Sequence, residues 1–166
     1  MRKALSGIAL AVLSLAFIAF TNGNANATVD SEDLEITQIG YNARGNDTRF
    51  NRNKEFVDIK NVGKSDANLE GFVLEDDWGH NTKGNTCNRY DVQDVTLKPN
   101  QTLRIYVGDG TPTSNDSYVY RYVNSPSHCG YHGHFLNNLR DTVWFTKKGS
   151  RVFHKSYDFE NGYTVN

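Results

Sequence analysis

Two cysteines and a cluster of histidines hold most of the reactive chemistry this chain could carry. His128-Cys129-Gly130-Tyr131-His132-Gly133-His134 sets three imidazoles and a thiol close together, with His80 and Cys87 upstream. Imidazole and thiolate are zinc ligands, and the glycines between them would let the backbone fold round an ion whose bound water could drive hydrolysis. No CxxC or HExxH pattern accompanies the cluster, so the spacing alone is a weak metal signal. The same cysteines support a second reading: in an oxidising compartment they join as a Cys87–Cys129 disulfide. On the chain-entropy model that bridge would add about 4 kcal/mol. The disulfide is favoured, with the histidines then exposed and without a structural task.

The other candidates are oxygen ligands and aromatic rings. Glu75, Asp76, Asp77, Asp91 and Asp94 lie in the irregular stretch from Glu75 to Asp94. They are ligands of the kind calcium takes, but not at EF-hand spacing, and a solvated loop is the simpler reading. Trp78 in that stretch either caps the core or stands exposed. Tyr118, Tyr120 and Tyr122 alternate with Val119, Arg121 and Val123. Such a row serves as a carbohydrate- or protein-binding face, or as an amphipathic strand with its hydroxyls wet at the rim of a sandwich. The chain has no Gly-x-Ser-x-Gly, no glycine-rich phosphate loop and no interpretable carboxylate pair. No catalytic, cofactor-binding or metal residue is assigned, and no cofactor is expected.

What must position these residues begins after a leader. Arg2 and Lys3 precede an apolar run from Ala4 to Phe20, and Ala25-Asn26-Ala27 offers the small-x-small pattern of signal-peptide cleavage. The expected organisation is residues 1–27 as signal peptide and 28–166 as one domain, secreted and monomeric. Losing Arg2 and Lys3 takes the formal net charge from −1 to −3. Cations scattered among acids disfavour a nucleic-acid-binding module, which normally shows a basic stripe.

Period-two alternation then dominates. Leu34 to Tyr41 reads as a strand broken near Gly40, and Asn42 to Asn53 as a polar loop. In Glu55 to Gly63, Val57, Ile59 and Asn61 share one face while Phe56, Asp58 and Lys60 share the other. Phe72 and Leu74 head the next strand, and the polar link from Gly63 to Asn68 suggests that the two strands are antiparallel neighbours. Leu103, Ile105 and Val107 alternate with Arg104 and Tyr106, and Asp141–Lys147 and Arg151–Tyr157 form a closing hairpin round Lys148-Gly149. Val57, Ile59, Phe72, Leu74, Leu103, Ile105, Val143 and Phe145 are the expected core. About seven or eight strands without an amphipathic helix describe an all-β, antiparallel sandwich.

Four segments carry a family likeness: EFVDIKNVG from Glu55, LEGFVLEDDWGH from Leu69, TLKPNQTLRIYVGDGT from Thr96 and LNNLRDTVWFTKKGSRVFHKSY from Leu136. In that order they resemble the lamin tail domain, in its secreted stand-alone form. The resemblance implies an immunoglobulin-like β-sandwich and no catalytic residues, since the shared positions are structural. The function expected is therefore a secreted, non-catalytic binding or structural module. Its partner is an extracellular protein, a glycan or an envelope component. The alternatives are a metal-dependent hydrolase built on His128 to His134 and a nucleic-acid-binding module.

Overall fold

The computed structural model describes residues 33–41, 55–77, 79, 88–123, 135–137, 139–147, 150–158 and 164–165. The expected leader, the loop from Asn42 to Asn53, Trp78, His80, Cys87 and the segment from His128 to His134 lie outside the described residues, as do the bridge and the metal cluster built on them.

The described residues form β1 (Leu34–Gly40), β2 (Phe56–Asn61), β3 (Ala67–Asn68), β4 (Phe72–Glu75), β5 (Arg89–Asp91), β6 (Thr96–Leu97), β7 (Thr102–Tyr106), β8 (Thr113–Ser114), β9 (Tyr118–Tyr122), β10 (Arg140–Lys147), β11 (Ser150–Asp158) and β12 (Thr164–Val165). A six-stranded sheet runs β12-β1-β2-β7-β9-β8, a four-stranded sheet runs β11-β10-β4-β5, and β3 pairs with β6. The fold is an all-β immunoglobulin-like sandwich, as expected. The eight expected core side chains are each no more than 1% exposed. Alternation fixes this, because a one-residue slip would turn every one of them to solvent.

Three details differ from the sequence reading. First, β2 and β4 are not paired neighbours: β2 lies between β1 and β7, whereas β4 lies in the opposite sheet between β10 and β5. The polar link is a crossing between sheets. Asn61, fully buried, donates its side-chain amide to the carbonyls of Ser65 and Leu97 and accepts from the Gly63 N–H. These bonds pull the chain away from β2 toward β6. Second, the irregularity in β1 falls between Ile36 and Gln38 rather than at Gly40. Lys155 donates to the Ile36 carbonyl there, at 3.3 Å, tying the edge strand β11 to the other sheet. Third, β7 and β9 are parallel. The chain reaches β9 through β8, which folds back on it as a hairpin, and Asn115 Oδ1 accepts the Ser117 and Tyr118 N–H groups to start β9.

Ring contacts knit the four-stranded sheet together, and one of them reaches across to the end of β1. Phe72 and Phe145 stack at 4.9 Å between centroids, and Phe145 meets Phe153 at 5.2 Å. Tyr41 stacks on Tyr157 at 4.2 Å, and the Tyr157 hydroxyl donates to the Asn137 carbonyl.

Candidate functional site

The outer face of the six-stranded sheet is aromatic where an ordinary solvated face would be polar. Register decides which rings meet. In the parallel pair, Tyr106 lies opposite Tyr122 and Arg104 opposite Tyr120, while across β2 Phe56 lies opposite Tyr106 and Asp58 opposite Arg104. Tyr122, Tyr106, Tyr120 and Tyr118 follow one another at centroid separations of 5.2, 6.2 and 5.5 Å, with planes within 19° of parallel. That is stacking of the kind the ring quadrupole favours, and all four rings are half-buried. Phe56 closes the row edge-on to Tyr106 at 6.2 Å.

One ion pair holds this surface in place. Asp58, with its side chain 4% exposed, accepts two hydrogen bonds from the Arg104 guanidinium, each 2.7 Å long. Gln38 accepts a third at 3.4 Å. The guanidinium carbon sits 3.9 Å from the Phe56 ring centroid, 5.3 Å from Tyr118 and 5.9 Å from Tyr106. The hydrogen bonds to Asp58 push the Arg104 pKa still higher, so its charge is permanent. Gly40 and Gly110 form the floor: a Cβ at either would collide with the ring of Phe56 or Tyr122. The tyrosine strand β9 lies second from the edge of the sheet, between β7 and the two-residue β8.

The acidic stretch has a different role. A groove of about 850 Å³ is lined by Asp76, Asp77, Asn137, Asp141 and Tyr157 among others. Asp76, 4% exposed, accepts the Gly79 N–H and the Asn88 side-chain amide, and Asp141 accepts the N–H groups of Asp77, Asn137 and Thr142. These carboxyls order loop backbone. Glu75 and Asp91 both pair with Arg89, at 3.0 and 2.9 Å. Among the described residues no three His, Cys, Asp or Glu side chains come together as metal ligands.

Burial raises the Asp76 pKa from 3.8 to about 7, against the two hydrogen bonds that lower it, and burial raises that of Asp141 as well. The folded state thus keeps a proton that the unfolded chain has already released. Asp76 therefore favours folding most below about pH 4, and this contribution is lost as pH rises through about 7. Asp76→Asn should remove that slope. Urea midpoints of the two proteins should diverge between pH 4 and 7, with the wild type falling relative to the variant. Parallel curves would show that Asp76 ionises normally.

Alternation exposed Tyr118, Tyr120 and Tyr122 in the sequence, but not Phe56, Tyr106 and Arg104 as their neighbours. The available signal was an Asp and an Arg each flanked by buried aliphatic residues in two alternating strands. Comparison with curated proteins finds no match. The lamin tail domain model matches residues 17–163, beginning inside the stretch read as a leader. This domain is generally non-catalytic, and the match spans all the strands just described except β12. The chain belongs to the lamin tail domain family.

Proposed function

We propose that the protein is exported and works outside the cell as a non-catalytic binding module, using the aromatic outer face of its larger sheet as the contact surface. The observation that carries this reading is the unbroken row Tyr118–Tyr120–Tyr106–Tyr122, locked by the Asp58–Arg104 pair. Side chains held by stacking and by a chelated guanidinium have little rotamer freedom left to lose on binding, and this preorganisation favours affinity. The basic start, apolar run and Ala25-Asn26-Ala27 support export, with the mature chain beginning at Thr28. The partner is an extracellular protein, a glycan or an envelope component.

The test compares wild type with the Tyr120→Ala/Tyr122→Ala double variant as baits in the native extracellular fluid. The wild type should retain a component that the variant loses, with the variant's melting temperature showing that it is folded. Equal retention by two folded proteins would place the contact elsewhere.

A further inference from the structure

Resting on that reading, we propose that the aromatic face takes a neutral glycan chain lying along the tyrosine row. Charge comes first. Arg104 is chelated by Asp58, and Asp58 is itself 3% exposed, so neither offers a free charge to a ligand. Lys60, farther along the same face, lies directly opposite Glu35 in register. An anionic polymer would have to compete with a buried bidentate carboxylate, and a cationic one would find the acid covered. An uncharged partner meets neither obstacle.

Shape points the same way. The rings follow one another at steps of 5.2 to 6.2 Å across neighbouring strands of one sheet, as an extended strip. The groove by Asp76 and Asp141 is lined by other residues. Protein interfaces concentrate their affinity in a few anchors, Trp, Tyr and Arg above all, seated in fully desolvated pockets, whereas these tyrosines form a strip outside the groove. A sugar ring, by contrast, presents an aliphatic C–H face and a rim of hydroxyls. A tyrosine answers both, with an electron-rich ring face for the C–H groups and a phenol that donates and accepts hydrogen bonds.

The experiment is calorimetric titration of the purified protein with cellohexaose, chitohexaose, laminarihexaose and mannohexaose, with heparin as the anionic comparator. At least one neutral oligosaccharide should bind with an affinity that salt does not change. Tyr120→Ala should weaken it about tenfold or more, whereas Tyr120→Phe, which keeps the ring, should hold most of it. Tyr118→Ala, at the end of the row beside the Asn115 turn, supplies a second truncation if Tyr120→Ala melts early. Binding to heparin alone, binding to none of the four, or neutral binding indifferent to both truncations would overturn the glycan assignment. A protein partner lost in the tyrosine variants would also overturn it while leaving the binding face intact. If neither glycan nor protein responds to the tyrosines, both readings fail.

Discussion

Arg104→Met should destabilise the protein by about 3–5 kcal/mol, because it leaves the Asp58 carboxylate buried without its counter-charge. Asp58 lies in the centre of β2 between Val57 and Ile59, and both of those side chains are fully buried on the other face. Methionine keeps an unbranched apolar stem like that of arginine without returning the two 2.7 Å hydrogen bonds. The loss should appear as a lower urea midpoint with an unchanged slope. Adding Asp58→Asn to Arg104→Met should restore part of it, since the neutral amide leaves no unpaired charge in the sheet. A single variant as stable as wild type would show that the pair is solvated and does not hold the aromatic face.

Ile59→Ala is expected to cost about 2–5 kcal/mol. Ile59 is fully buried and lies in register between Ile36 on β1 and Leu103 on β7, at the middle of the larger sheet. Backbone hydrogen bonds on both sides prevent the strands from closing over the space left by the side chain, so the cavity persists. Equilibrium urea unfolding measures this directly. An unchanged midpoint would mean that Ile59 faces away from the core and that the register of β2 is shifted by one.

Much of this fold was legible because alternation reports which side of a strand is buried. Val57 and Ile59, Leu103 and Ile105, and Val143 and Phe145 each declared a core face. Alternation does not report which strands pair, or in which direction. The polar residues from Gly63 to Asn68 have the composition of a hairpin link, yet Ala67 pairs with Leu97 and Asn68 with Thr96, far along the chain. That pairing, with the Asn61 amide gripping the Leu97 carbonyl, turns the link into a crossing between sheets. The parallel register of β7 and β9 was hidden for the same reason, and with it the meeting of Tyr106 and Tyr122. The aromatic face was therefore half visible. Its β9 side could be read from three alternating tyrosines, whereas its β2 and β7 side exists only once the strands are placed. The acidic stretch was misleading in another way: composition shows carboxylates but not the backbone N–H groups that occupy Asp76 and Asp141.

The central claim, that the aromatic face is where this lamin tail domain meets its partner, is tested most directly by tyrosine nitration mapped by mass spectrometry. The protein would be labelled alone and in the presence of the component it retains. Protection is expected at Tyr106, Tyr118, Tyr120 and Tyr122 together, because they form one row. Tyr90, on β5 of the opposite sheet, should label at the same rate in both samples. Unchanged labelling of the four tyrosines while the partner is bound, or protection confined to Tyr90, would contradict the account.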